Sequence, residues 1–403
     1  MLIKYSIFHH SSLLVSGHAL NACAMNDVAP LTGPQAKPWI NALAPYQPGK
    51  AKAKDGRALK KLSANENPLG CAPAALAILR GEGDAAPSGD DAARYPDPDC
   101  TALRSALGAH HQLPPEQIIC GTGSDELLNL AAQAYAAQGD EIIHVRYGFA
   151  VYDIATRRIG ATPIVVPDAH YASDLNAILA AITPRTRLIY LANPNNPTGT
   201  MVSDADIAAF HAALPPHILL VLDQAYAEYL DDDGPQAFDL ARTAHNVLIT
   251  RTFSKIYGLA AQRIGYAFGA PALIDTLNRI RAPFNVTTTG QAAAIAALGD
   301  QHFVQQSRAH NSTWRDWLMR EIGALGNGGL TAIASHANFL LVRFDGALTA
   351  EAALNGLADQ GYMTRWLPGQ GLPDCLRITI GDEADMRSVA TILRQLVQQA
   401  DQL

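Results

Sequence analysis

Between residues 118 and 250 the chain repeats one pattern. A short run of consecutive apolar residues stops at a polar or glycine-rich turn, and a longer amphipathic run follows. The apolar runs are Ile118 to Cys120, Glu141 to Val145, Thr162 to Val166, Arg187 to Ala192, Ile218 to Leu222 and Asn246 to Thr250. They are apolar on successive rather than alternate positions, which predicts strands buried on both faces. The segments between them, such as ELLNLAAQAYAAQ after GTGSDE at 121, carry helical spacing. Alternation of this kind predicts an α/β fold with a mostly parallel sheet and right-handed crossovers. Ligands of such sheets bind beyond the carboxyl ends of the strands. Ser124, Phe149, Asn196, Asp223 and Lys255 all follow or end a predicted strand and are expected to converge on one crevice.

From about residue 300 the pattern changes. HFVQQSRAHNSTWRDWLMREI predicts a long helix, and ANFLLVRF and CLRITI predict strands separated by the helical AEAALNGLADQG. This reads as a smaller α+β unit. The expected organisation is a large domain over 62–300, a small C-terminal domain over 301–403, and an arm over 25–61 rich in Pro, Ala, Gly and Lys. Residues 1–24 read as a disordered leader or an upstream start, with Met25 the more natural first residue; their apolar stretch is broken by His9, His10 and Ser11, which is poor for a signal peptide.

Bulk properties narrow the picture only slightly. The 403 residues suit two domains, and 48% apolar with 17% charged residues is ordinary for a globular chain. A net charge of −7 lacks the footprint of a nucleic-acid binder. No run approaches about 18 consecutive apolar residues, so no membrane span is expected. Five cysteines without C-x-x-C spacing point to free thiols in a reducing cytoplasm, and the histidines form no metal-ligand pattern.

The candidate chemistry centres on TRTFSKIYGLAAQR at 250, where Lys255 follows a buried strand. A partly buried ammonium near another cation loses proton affinity and becomes an amine nucleophile able to condense with an aldehyde. Pyridoxal phosphate is the aldehyde cofactor that asks for such a lysine. It also asks for a carboxylate at its pyridine nitrogen, and Asp223 ends the strand ILLVL. Its ring oxygen needs donors, which Tyr226 and Asn196 could supply. Its phosphate needs a helix N-terminus, hydroxyls and a cation; Ser124 and Asp125 open a helix, and Thr252, Ser254 and Arg263 flank Lys255. Phe149 or Tyr147 could cover the ring face.

With LSANENPLG at 62, RYPDP at 94, GTGSDELL at 121, RYGFAVY at 146, LANPNNPTGT at 191, VLDQAYAEY at 221, RAPFNV at 281, ANFLLVRF at 337 and CLRITIG at 375, the chain resembles the fold-type I pyridoxal-phosphate aminotransferases from about Leu62 to about Val397, and within them the histidinol-phosphate branch. The resemblance implies a fold-type I large domain plus a small α+β domain. It implies pyridoxal 5'-phosphate held covalently by Lys255, with Asp223, Tyr226, Asn196, Ser124, Asp125, Thr252, Ser254 and Arg263 around it and Phe149 preferred over Tyr147 as the plate. It further implies a homodimer in which Tyr95 reaches the neighbouring subunit's cofactor phosphate. Arg377 would clamp a substrate carboxylate, Arg365 would face the distal anion, and Asn67 would help form that pocket. The implied reaction exchanges the amino group between L-histidinol phosphate and 2-oxoglutarate in histidine biosynthesis. An aromatic amino-acid aminotransferase, or more remotely a threonine-phosphate decarboxylase, shares most of these segments. A cofactor-binding regulator without turnover would carry an added DNA-binding domain, for which residues 1–60 are too short and irregular. The chain departs from the family pattern at Gln224, where an acid is usual, at Ala261 and Gln262 before the arginine, and at Arg146.

Overall fold

The computed structural model describes residues 33–43, 56, 58–83, 85–230 and 235–402. The suggested leader, residues 1–24, and most of the arm lie outside the described residues. In chain order the strands are β1 (Lys60–Lys61), β2 (Ile118–Gly121), β3 (Glu141–Val145), β4 (Thr162–Val166), β5 (Thr186–Ala192), β6 (Leu219–Asp223), β7 (Val247–Thr252), β8 (Gly265–Gly269), β9 (Leu330–Ile333), β10 (Phe339–Phe344), β11 (Tyr362–Met363), β12 (Arg365–Leu367) and β13 (Leu372–Thr379).

Seven strands form the large sheet in the order β2-β8-β7-β6-β5-β3-β4. All neighbours are parallel except at β8, which runs antiparallel to both β2 and β7. The successive apolar residues explain the layering. On β5, Ile189 and Leu191 join one core while Leu188 and Tyr190 join the other; on β6, Leu220 and Leu222 separate from Leu219 and Val221 in the same way. Because side chains alternate across a strand, an unbroken apolar run feeds two cores, one under each helical layer. The edge strand β4 is the exception: only Val166 is fully buried and Val165 is 49% exposed. Edge position alone does not account for this, because β2 at the opposite edge is buried throughout; the apolar run of β4 overstates its burial.

The second sheet is antiparallel, in the order β12-β13-β10-β9. Leu340, Val342, Leu376 and Ile378 pack against Leu318 and Ile322 of the long helix Gln301–Gly323 and against Met386, Val389 and Leu393 of the helix Glu383–Ala400. Both helices start on an aspartate whose carboxylate accepts a backbone N–H, Asp300 from Phe303 and Asp382 from Asp385. The end of the arm is stitched into this part of the molecule by β1, which pairs in parallel with β11. Further upstream, the short helix Pro38–Asn41 lies against the helix Ala150–Arg158, with Trp39 Nε1 donating to Arg158 O at 3.3 Å.

Candidate active site

A cavity of about 290 Å3 opens where the carboxyl ends of the large sheet face the small sheet. Lys255, Asp223, Tyr226, Ser124, Asp125, Phe149, Asn196, Thr252, Ser254, Arg263, Arg365 and Arg377 all line it. The residues come from seven segments far apart in sequence: five follow or end strands of the large sheet, as expected where successive strand termini share one rim, and Arg365 and Arg377 come from β12 and β13 of the second sheet.

Asp223 ends β6 at 5% exposure, with Oδ2 accepting from Tyr152 Oη at 2.8 Å and Oδ1 from Thr250 Oγ1 at 3.2 Å. Burial raises its carboxyl to about 6, against the lowering effect of Tyr152 and Thr250. No cation pairs with it among the described residues. Lys255 lies just past β7, with Nζ 3.3 Å from Ala64 O and 5.7 Å from the centre of the Tyr226 ring. Burial first, then the Arg377 charge, lowers its ammonium to about 8. The Tyr226 hydroxyl accepts from Asn65 Nδ2 at 2.9 Å and Asn196 Nδ2 at 3.1 Å.

At one end of the cavity Ser124 begins the helix Ser124–Tyr135, and Gly123 caps it with φ +81°, a conformation that glycine adopts without strain. A Cβ on Gly265 of β8 would fall 2.3 Å from Ser124 N, so the antiparallel strand must carry glycine to lie against this turn. Arg263 Nη1 donates to Ser254 Oγ at 3.1 Å, and Arg263 Nη2 is 3.6 Å from Asp125 Oδ2. Backbone N–H groups at a helix start, two hydroxyls and a guanidinium make an anion cradle. The Asp125 side chain pairs with the guanidinium rather than pointing a donor at an anion; what Asp125 can offer an anion is its backbone N–H.

The two remaining arginines lie on facing strands of the small sheet and line the same cavity. Arg365 on β12 is the direct cross-strand partner of Arg377 on β13. Arg377, 9% exposed, donates from Nη1 to Asn196 Oδ1 at 2.6 Å and from Nη2 to Ser63 O at 2.8 Å. Like charges directly opposite in a sheet are destabilising, and here they face a cavity rather than open solvent.

Two predicted residues are not among those lining the cavity. Asn67 Nδ2 donates to Ile256 O at 2.7 Å and to Ser307 Oγ at 2.9 Å, so it braces the loop carrying Lys255. Asn65, two residues earlier, is the asparagine of that motif that lines the cavity. Tyr95 is 82% exposed and stacks on Phe284 with ring centres 4.6 Å apart. Of the two candidate plates, Phe149 lines the cavity and meets Tyr152 edge-on, while Tyr147 stacks on Tyr171. Tyr152 was missed as a site residue, although its spacing of three from Phe149 on a helix start signalled a shared face. Lys61, Ser63 and Glu66, also missed, line the cavity.

Gln224 finds its reason in Arg251, a fully buried guanidinium that donates to Gln224 Oε1 from Nε at 3.2 Å and Nη2 at 2.9 Å, and lies 3.3 Å from Glu228 Oε1. Glu228 supplies the charge, leaving the residue after Asp223 free to be a neutral amide.

The family model for aminotransferase class I and II matches residues 58–393. The histidinol-phosphate aminotransferase of Sphingopyxis alaskensis is 54% identical over 376 residues, covering 92% of this chain and 99% of the relative. That of Zymomonas mobilis is 55% identical over 367 residues, covering 90% and 97%. The chain belongs to the histidinol-phosphate aminotransferase family. The crystal structure of the Sinorhizobium meliloti histidinol-phosphate aminotransferase, in complex with pyridoxal-5'-phosphate, superposes with a TM-score of 0.81 at 32% identity, covering 93% of this chain and all of that one. The likeness spans both sheets, and the fold is that of the fold-type I aminotransferases.

Proposed function

We propose that the protein is a pyridoxal 5'-phosphate-dependent aminotransferase that exchanges the amino group between L-histidinol phosphate and 2-oxoglutarate, giving imidazole-acetol phosphate and L-glutamate, in histidine biosynthesis. The observation that carries the substrate reading is the pairing of Arg365 with Arg377 across β12 and β13, inside the same cavity as Lys255. Two arginines on facing strands, both lining one cavity, suit a pocket that must accept a phosphate monoester in one half-reaction and a dicarboxylate in the other.

The residues fit the cofactor. Asp223 is a buried carboxylate without a cationic partner among the described residues, the complement of a protonated pyridine nitrogen. The Gly123–Asp125 turn, Thr252, Ser254 and Arg263 fit its phosphate, Phe149 its ring face, and Tyr226 with Asn196 its ring oxygen. When bound, pyridoxal 5'-phosphate supplies an electron sink conjugated to the α-carbon of the amino donor. Lys255, with its ammonium lowered to about 8, is a neutral amine in a useful fraction of molecules near neutral pH, so it can take a proton from the α-carbon and return it. Asp223, ionised above about pH 6 and steadied by Tyr152, holds a positive ring nitrogen. Asn196 and Asn65 orient the Tyr226 hydroxyl, and Asn196 also orients Arg377, so one amide links the ring-oxygen and carboxylate ends of the site.

The exposed Tyr95, stacked on Phe284 outside its own cavity, supports a homodimer in which Tyr95 serves the neighbouring site. The two sheets with their separate cores support a large domain over 62–300 and a small one over 301–403, with Leu62 itself packed in the small core and Asn67 bracing the loop that carries Lys255. The described cysteines are all free thiols, which fits a cytoplasmic enzyme. A panel of half-reactions tests the substrate: purified holoenzyme is mixed with one amino donor at a time while the cofactor spectrum is followed. L-Histidinol phosphate is expected to react fastest, and a wide lead for phenylalanine would overturn the assignment while leaving the cofactor in place.

A further inference from the structure

Lys61, the last residue of the arm, lines the cavity with a side chain 33% exposed. Its neighbour Lys60 turns outward, with Nζ 3.2 Å from Asp382 Oδ2 and 2.9 Å from Asp385 Oδ2. The backbone of this segment is fixed by Lys60 N donating to Gly361 O and Leu62 N to Met363 O, both at 2.8 Å. Alternation along β1 then sends Lys61 to the opposite side, toward the cavity it lines, beside the strand that runs on into Arg365. There Lys61 Nζ donates to Glu66 Oε1 at 2.7 Å, and Glu66 lines the same cavity.

An ammonium has three donors and no fixed plane. Glu66 occupies one of the three. Among the described residues Lys61 has no second partner, so two donors remain for an anion in the cavity that Arg365 and Arg377 also line. A carboxylate beside the ammonium positions it and partly offsets its charge; attraction to Lys61 and repulsion from Glu66 both scale with the charge of the incoming anion, so where Lys61 is the nearer group a dianion gains about twice what a monoanion does.

We propose that Lys61, positioned by Glu66, is a specificity-determining residue that contacts the distal phosphate of the amino donor. This rests on the reading of the reaction given above. The test compares wild-type holoenzyme with Lys61→Met, Lys61→Arg and Glu66→Gln, using L-histidinol phosphate and its dephosphorylated counterpart L-histidinol. It adds the inhibition constant of glycerol 3-phosphate, a phosphate monoester without an amine to transfer. For Lys61→Met the ratio of kcat/KM between the two donors is expected to fall about ten-fold, the size of one half-exposed charge-assisted contact. The glycerol 3-phosphate constant is expected to weaken by a similar factor. Lys61→Arg should keep most of both, and Glu66→Gln should tighten glycerol 3-phosphate binding. If Lys61→Met slows both donors equally and leaves the glycerol 3-phosphate constant unchanged, Lys61 only tethers β1 and the inference is wrong. If the wild type itself does not distinguish the two donors, the substrate reading fails, and the glycerol 3-phosphate constants still decide whether Lys61 contacts an anion.

Discussion

Replacing Lys255 with methionine in the cofactor-free protein should stabilise it near neutral pH. Methionine keeps the length and apolar stem of lysine and removes the ammonium. In the fold that ammonium is depressed from 10.5 to about 8, chiefly by burial and next by the charge of Arg377. At about 1.4 kcal/mol per pH unit, the difference corresponds to roughly 3 kcal/mol by which the charged lysine opposes folding. The substitution also removes the hydrogen bond from Nζ to Ala64 O, which at 3.3 Å is long and contributes about 1 kcal/mol or less. A net gain of about 2 kcal/mol remains. Its pH dependence follows from proton counts. Between about pH 8 and 10.5 the folded lysine protein binds fewer protons than the unfolded chain, so its stability rises with pH across that window. The methionine variant has no such rise. Its advantage is therefore full below about pH 8 and gone above 10.5. Urea unfolding of both cofactor-free proteins, at matched concentration, at about pH 7 and again near pH 10.5, measures this. A variant no more stable than the parent at neutral pH, or an advantage that persists undiminished at the higher pH, would refute the claim that Lys255 is held as a strained, deprotonation-prone amine.

Other expectations concern the residues around it. Tyr152→Phe removes the 2.8 Å hydrogen bond to Asp223, so the carboxyl should rise above about 6 and cofactor affinity should fall about ten-fold, most steeply on the acid side; spectrophotometric titration of cofactor-free protein across pH reads both. Gly265→Ala places a Cβ 2.3 Å from Ser124 N and 2.5 Å from Gly123 C, backbone atoms that cannot rotate away, and should lower stability by about 2 kcal/mol and loosen cofactor binding together, as seen by thermal unfolding with and without cofactor. Arg251→Met withdraws the buried guanidinium from Glu228 and Gln224 and should cost about 3 kcal/mol in urea unfolding.

Much of the site could be read in the sequence because a parallel sheet converts sequence order into spatial convergence. Once the apolar runs ending at Asp223 and Thr250 were strands, the polar residues after them had to share a rim. What escaped was whatever depended on contacts across that rim. β8 escaped because GYAFG is short and bracketed by glycines, and its antiparallel course breaks the alternation of strand and helix. Its glycine is there for the close approach to Ser124, which no periodicity reveals. In NENP the sequence offers two asparagines, and only the left-handed backbone at Asn65, φ +59°, settles which one enters the cavity and which braces Ile256. Arg365 is assigned to the distal anion only through the family resemblance, because its segment has a loop-like composition; its register opposite Arg377 adds a structural reason. Gln224, a departure from the family pattern, is explained by Arg251, twenty-seven residues away in sequence and adjacent only through the pairing of β6 with β7.

The central claim, that Lys255 condenses with an aldehyde whose ring nitrogen rests on Asp223, is tested most directly by reduction. Holoenzyme treated with borohydride, digested and examined by mass spectrometry should carry the reduced pyridoxyl group on the peptide containing Lys255, and the Lys255→Ala protein should carry none. The group on a different lysine in the wild type, or an undiminished yield in the variant, would contradict the account.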